Sequence, residues 1–178
     1  MKINNILLDN LTAQAKESPR FRMNLDLRNS DADSSQRMLN AIEPGSVIPI
    51  HRHQKTSETV VILRGRAVQH LYDAEGRLVE SVLLAPVVAG CPVKPGMTEG
   101  DELRSDEEGD VLRSDEEGDG LRSGEDVVSY RNGEPIPAMN VEKGQWHRLE
   151  ALESGTVIVE FKDGAYEPIG PEDILILA

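Results

Sequence analysis

Three residues of types that bind metal ions lie close together between Gly45 and Gly65. His51 and His53 are two positions apart, and Glu58 follows after a short polar link. On an extended segment, residues i and i+2 lie on the same face, so the two imidazoles can bind side by side. The link is long enough for a turn, which lets the carboxylate come from the adjacent strand.

The fourth candidate ligand is His147, which follows the turn-like segment 142–145 far downstream. Three neutral imidazoles and one carboxylate suit a divalent transition metal such as Fe, Mn, Ni or Zn, whereas Mg and Ca prefer more oxygen ligands. A six-coordinate ion with four protein ligands keeps two open positions, where a substrate or dioxygen can be polarised or activated. We therefore predict a metal site at these four residues, and we interpret the remaining histidine, His70, as structural.

The elements that must position these residues are predominantly β. Short apolar runs alternate with turn signals such as Pro44-Gly45 and Gly65, a pattern typical of an all-β sandwich or barrel. The predicted strand segments are 36–42, 46–50, 59–63, 67–72, 78–84, 138–141, 147–149 and 156–161. Before them, an apolar residue recurs every fourth position and predicts a short helix that ends before Pro19; these residues are Ile3, Leu7, Leu11 and Ala15.

A nine-residue acidic repeat interrupts the β pattern. The sequence LRSDEEGD at 103–110 returns at 112–119, and a worn third copy begins at 121. With one glycine and one leucine per copy, the segment lacks the pattern of a calcium-binding β-roll, and its charge density favours a solvated loop. We predict one domain, 1–178, with a helix in 1–18, barrel strands in 19–85 and 133–170, and an insertion in 86–132. An ordered partner-binding or weakly calcium-binding arm is the alternative for the repeat.

Composition excludes several classes of function. The net charge is −13, and residues 99–126 carry thirteen acids against three arginines, so we expect no nucleic-acid partner and no anionic membrane surface. A single cysteine excludes an intrachain disulfide. No stretch of about 18 apolar residues occurs, and the first residues lack the pattern of a secretory signal. We expect a cytoplasmic protein.

The segment 45–65 matches the first cupin motif at every fixed position. The second motif is partial: Gly144 and His147 stand at the expected separation, but three positions depart from its usual glycine, proline and asparagine, at Ile136, Glu142 and Ala151. The chain also resembles the WbuC family of cupin-fold metalloproteins. That resemblance rests on the N-terminal helix with segment 19–25 and on segments 36–45, 63–66, 144–147 and 160–168, and it covers roughly residues 1–85 and 137–170.

The resemblance implies a cupin jelly-roll barrel with a bound metal. Through the association of the WbuC family with O-antigen and surface-polysaccharide gene clusters, it also implies a carbohydrate-derived small molecule as ligand. It is compatible with a homodimer and defines no reaction. A metal-dependent isomerase or epimerase, an Fe(II)-dependent oxygenase and a non-enzymatic binding or regulatory module all stay open. Four polar or aromatic residues in the similar segments are candidate substrate contacts: Gln36, Arg37, Arg64 and Trp146.

Overall fold

The computed structural model describes residues 1–87 and 134–176, so the acidic repeat lies outside the described residues. These residues form α1 (Asn5–Glu17), β1 (Arg22–Asp26), β2 (Gln36–Ile42), β3 (Ile50–His51), β4 (Glu58–Arg64), β5 (Ala67–Tyr72), β6 (Leu78–Leu84), β7 (Ala138–Val141), β8 (Trp146–Ala151), β9 (Thr156–Lys162), a 3-10 helix (Pro171–Asp173) and β10 (Ile174–Leu175). No helix in this part of the chain is long and apolar enough to cross a membrane.

The strands form two five-stranded sheets with antiparallel pairing. One sheet has the order β1-β2-β9-β4-β7, and the other has the order β10-β3-β8-β5-β6. Without the outer strands β1 and β10, each sheet keeps four strands, and apart from the β5–β6 hairpin the neighbouring strands are distant in sequence, which is the strand arrangement of a jelly roll. The mainly β, jelly-roll fold predicted from the sequence is confirmed.

The N-terminal helix packs on the outer face of the first sheet. The Asn4 side chain caps it by accepting from the backbone N–H of Leu7, as such a residue commonly does at a helix start. The predicted apolar stripe was partly wrong, because a strict four-residue spacing drifts about 40° per step around a helix of 3.6 residues per turn. Ile3 precedes the helix and is exposed. The buried positions are Leu8, Leu11, Thr12 and Ala15.

Two strand predictions also need correction. Of the segment 46–50, only Ile50 belongs to a strand. Its neighbour Pro49 has no backbone N–H and so cannot donate to a sheet ladder. The strand β10 lies beyond residue 170, where no strand was predicted, and it pairs with β3 through Ile174 and Leu175.

The space between the sheets changes from apolar to polar towards one end of the molecule. In the register of β4 and β9, Ile62 lies opposite Ile158, whereas Glu58 lies opposite Lys162. The apolar end is a core of Ile42, Val60, Ile62, Ala67, Leu84, Leu149, Ala151 and Ile158. The inward faces of β4, β8 and β9 run from this core to Glu58, His147 and Lys162 respectively. The polar end therefore contains the residues predicted to bind metal.

Candidate metal centre

The structure brings the three predicted histidine ligands together. One ring nitrogen from each of His51, His53 and His147 lies within 4.8 Å of the others, close enough to hold one metal ion. The ring centroids of His51 and His147 are 4.3 Å apart, and those of His51 and His53 are 5.1 Å apart. The cluster comes from chain segments that are almost a hundred residues apart.

Backbone pairing accounts for this convergence. His51 lies directly opposite His147 where β3 pairs with β8. His53 follows the end of β3, and its carbonyl accepts a hydrogen bond of 2.8 Å from the N–H of Gly144. Gly144 has a φ of 82°, a left-handed conformation that glycine adopts at little cost. The turn before His147 therefore forms without the proline that Glu142 replaces.

Backbone carbonyls orient two of the imidazoles. His51 Nδ1 lies 3.0 Å from the carbonyl oxygen of Pro49, and His147 Nδ1 lies 2.8 Å from that of Gln145. A carbonyl oxygen only accepts, so each Nδ1 carries the proton and each Nε2 keeps its lone pair. Such contacts commonly fix the orientation of metal-binding histidines.

Burial keeps His51 and His147 in the neutral form that binds metals. Burial, with a smaller contribution from His147, lowers the pKa of His51 to about 4. Burial also lowers the pKa of His147. Metal binding at neutral pH would therefore require no loss of a proton from either side chain.

A buried nitrogen atom of this cluster supports the interpretation as a metal site. His147 is only 2% exposed, and its Nε2 has no hydrogen-bond partner among the described residues. A buried polar atom without a partner costs free energy, so such atoms are uncommon in native proteins. A metal ion would use this lone pair, and the residues present fit one.

The predicted carboxylate ligand lies beside the histidines and also pairs with a lysine. Glu58 Oε2 is 3.2 Å from His53 Nε2, and Glu58 Oε1 is 3.8 Å from His147 Nε2. Lys162 Nζ lies 2.9 Å from Glu58 Oε2. Burial disfavours the charged carboxylate, but the charge of Lys162 and its hydrogen bond to Glu58 outweigh this effect and hold the pKa of Glu58 well below its usual range. Glu58 is therefore available as an anionic ligand.

A cavity of about 480 Å³ opens beside the cluster. His51, His53 and Glu58 form part of its wall, together with Glu160 and Lys162. Burial, followed by the charge of Glu58, raises the pKa of Glu160 to about 8, although Lys162 and a hydrogen bond with Asn40 act in the opposite direction. The cavity thus contains a titratable carboxyl group besides the proposed ligands.

Glu160 and Lys162 were not identified from the sequence. The available signal was their spacing: they are two residues apart in the strand TVIVEFK and share the face of Ile158. An inward strand face that changes from apolar to charged indicates a polar site at one end of the barrel. Only the register of β9 against β4 places these residues beside Glu58.

Of the four candidate substrate contacts, one lines the cavity and three do not. Gln36 is buried and lines the cavity. Arg37, the next residue on β2, does not line the cavity, because successive side chains on a strand point to opposite faces, and it pairs with Asp33 at 2.7 Å. Trp146 precedes His147 on β8 and packs with Ile50 and Tyr72, away from the cavity wall.

Arg64 attaches the N-terminal helix to the first sheet. Its guanidinium donates to the carbonyls of Gly155 and Leu8 and to the hydroxyl of Thr12, at 3.0, 3.1 and 2.6 Å. It also pairs with Asp9 on the helix. Arg64 does not line the cavity beside the histidines, so the structure gives it a structural role.

His70 does not join the cluster, in agreement with its interpretation as structural. It is buried, and its Nδ1 lies 2.8 Å from the hydroxyl of Ser81. Its Nε2 faces Glu150 at 3.4 Å. These contacts engage both ring nitrogens within the sheet of β5, β6 and β8.

Comparisons with known proteins do not identify an activity for this chain. Residues 3–84, less than half of the chain, match a family described as a domain of unknown function, DUF6016. Comparison with curated protein sequences gives no match. The chain is similar to the structure of KdgF from Halomonas sp., with 11% identity, coverage of 84% of each chain and a TM-score of 0.45.

Two other solved structures show similar levels of likeness. A protein from Bacillus halodurans is 13% identical, with 95% of this chain and 85% of that chain covered and a TM-score of 0.48. An oxalate oxidase in complex with glycolate is 11% identical, with 87% of this chain and 57% of that chain covered and a TM-score of 0.49.

Proposed function

We propose that this chain is a metal-dependent enzyme of the cupin fold that acts on a small, polar, carbohydrate-derived molecule. Its divalent transition metal, Fe, Mn, Ni or Zn, would be held by His51, His53, Glu58 and His147. The observation that carries the proposal is the convergence of the three imidazoles, with a buried His147 Nε2 that has no hydrogen-bond partner in the part of the chain that the structure describes.

An enzyme is favoured over a purely binding module by the groups that share the cavity with the cluster. Acid–base catalysis needs a proton carrier with a pKa near the working pH, positioned within reach of the substrate. Glu160 meets the first condition with a pKa of about 8 and lies in the wall of the cavity. A site whose only titratable groups were metal ligands would have favoured the binding module.

The reaction class that these residues fit best is isomerisation or epimerisation. A bound divalent metal would supply Lewis-acid polarisation of a carbonyl or hydroxyl oxygen. In its ionised form, Glu160 would take a proton from the substrate and return it, while Gln36 would hold the substrate by hydrogen bonds. The similarity of the chain to the WbuC family supports a sugar-derived substrate from surface-polysaccharide metabolism.

Solvent isotope exchange tests this proposal directly. Metal-loaded protein is incubated in deuterium oxide with a panel of aldoses, ketoses and uronic acids, and carbon-bound hydrogen is followed by NMR. We expect deuterium to enter a carbon next to a carbonyl in at least one sugar, and Glu160→Gln to slow this exchange by about 100-fold or more.

Two other outcomes would refute the proposal. Oxygen uptake without deuterium incorporation would identify an Fe(II)-dependent oxygenase instead. Tight sugar binding with neither reaction would identify a non-enzymatic module. The matched control is Glu153→Gln, because Glu153 is an exposed acid outside the cavity wall.

A further inference from the structure

Lys162 places a positive charge among the groups proposed to bind the metal. It lies opposite Glu58 on β4 and opposite Gln36 on β2, and its side chain is only 10% exposed. Its ammonium is 2.9 Å from Glu58 Oε2 and 2.9 Å from His53 Nε2. One buried cation thus contacts atoms of two of the four proposed ligands.

These contacts and a metal ion would compete for the same electron pairs. A lysine ammonium only donates hydrogen bonds, so His53 Nε2 accepts from Lys162 through the lone pair that a metal would require. The carboxylate oxygen of Glu58 that accepts from Lys162 is equally a ligand atom. A metal bound to both residues therefore excludes the ammonium from its present position.

We propose that Lys162 is an internal placeholder cation, which occupies the ligand atoms of His53 and Glu58 in the metal-free protein and is displaced when the metal binds. This inference rests on the proposed metal site and concerns how its affinity is set. Lys162 would make metal binding weaker and the metal-free barrel more stable than either would be without it.

The ammonium of Lys162 would compensate the charge of Glu58 in the metal-free protein. Glu58 is 5% exposed and lies beside imidazoles, and a buried carboxylate without a compensating charge is strongly destabilising. The ammonium supplies this charge until a divalent cation replaces it. A neutral residue at position 162 would leave the metal-free site with an uncompensated carboxylate.

The displaced side chain has space to enter. Lys162 lines the 480 Å³ cavity and also a second cavity of about 460 Å³, which shares His53 and Gln36 with the first. A rotation of the flexible lysine stem can therefore move the ammonium away from the ligands without a change in the sheets. On the same strand face, Glu160 offers a carboxyl group to the released cation.

The test compares metal affinity in full-length wild type and in Lys162→Met. The protein is stripped of metal, and Zn²⁺ and Ni²⁺ are titrated in competition with a chromophoric chelator. Hydrogen bonds to charged groups are among the stronger ones in proteins, so the loss of the competing contacts should tighten metal binding about ten-fold or more. Metal-free Lys162→Met should also melt at a lower temperature and gain a larger increase in Tm from metal.

The matched control is Lys55→Met, which removes the same charge from an exposed lysine that pairs with Glu167 at 2.9 Å. We expect its metal affinity to stay within about two-fold of wild type, because exposed charges are strongly screened. Lys162→Gln provides a second neutral variant if Lys162→Met does not fold without metal, and the same increase in affinity is expected.

Different results would overturn the placeholder role alone or together with the proposed function. Equal or weaker metal binding by the Lys162 variants, with wild type binding normally, overturns the placeholder role and leaves the metal site intact. An equal gain in affinity in Lys55→Met also overturns it, because the effect would then be one of net charge. Failure of wild type to bind any metal overturns the proposed function and this inference together.

Discussion

The protonated state of Glu160 predicts an unusual dependence of stability on pH. A glutamate has an ordinary pKa of 4.5, which we assign to the unfolded chain, and in the folded protein the pKa is about 8. Between these values the folded protein holds one proton that the unfolded chain has released. The free energy of unfolding should therefore fall by about 1.4 kcal/mol per pH unit through this group as the pH rises.

The sign follows from the state that holds the proton. Below about pH 4.5 both states are protonated, so this contribution to stability is fully present. It is lost as the pH rises, and above about pH 8 both states are ionised and the slope vanishes. Glutamine cannot ionise, so Glu160→Gln should become progressively more stable than wild type across this window.

The assay is urea unfolding of both proteins in the presence of a chelator, at intervals of pH. The chelator is needed because a bound cation would favour the ionised carboxylate. Glu153→Gln, at an exposed position, serves as the control and should follow the wild-type curve. A difference between Glu160→Gln and wild type that stays constant with pH would show that Glu160 is ionised in the folded protein and would remove it as proton carrier.

Two further predictions concern the scaffold that holds the site. Gly65→Ala should lower the free energy of unfolding by about 3 kcal/mol or more, because Gly65 has a φ of +76° and a new Cβ would lie 2.8 Å from Thr156 Cα. Gly45 has a similar φ, but no heavy atom lies within 4 Å of the new Cβ, so Gly45→Ala should lower the free energy of unfolding by only about 1 kcal/mol. Equal losses for the two variants in urea unfolding would contradict the packing argument. Arg64→Met should lower the free energy of unfolding by about 2–3 kcal/mol without changing metal content. Arg66→Met, which removes an exposed ion pair of 3.6 Å, should lower it by less than about 0.5 kcal/mol. Loss of metal in Arg64→Met would show that this residue supports the site as well as the helix.

The local part of the site was predictable because its signal lies within a few residues. His51, His53 and Glu58 are close in sequence, and their residue types limit the chemistry. His147 required the separate pattern of a glycine turn followed by a strand. The structure shows all four residues together, while their role as ligands stays a prediction.

The residues that modify the site were not predictable in the same way. Glu160 and Lys162 are about a hundred residues from Glu58, and their position depends on the register between two strands. Sequence periodicity shows which residues share a face, but it does not show which strand lies opposite. Arg37 lies outside the cavity wall for a related reason, since one step along β2 moves a side chain from the cavity to the other face.

The predicted domain boundaries and the acidic insertion stay predictions. The repeat at 103–119 and Cys91 lie outside the described residues. A homodimer and the sugar-derived ligand likewise depend on the sequence resemblance. The β10 strand was missed because a segment of two paired residues is too short to show a periodic pattern.

The central claim is that the histidine cluster binds a transition metal, and metal content measures this most directly. The protein is purified without an affinity tag and analysed by inductively coupled plasma mass spectrometry, beside His147→Ala and His70→Gln. We expect about one equivalent of a transition metal per chain in wild type and His70→Gln, and a much lower metal content in His147→Ala, because this variant lacks one proposed ligand. Wild-type protein that stays metal-free after incubation with Fe²⁺, Mn²⁺, Ni²⁺ and Zn²⁺, or a metal content that is unchanged in His147→Ala, would contradict metal binding by this cluster.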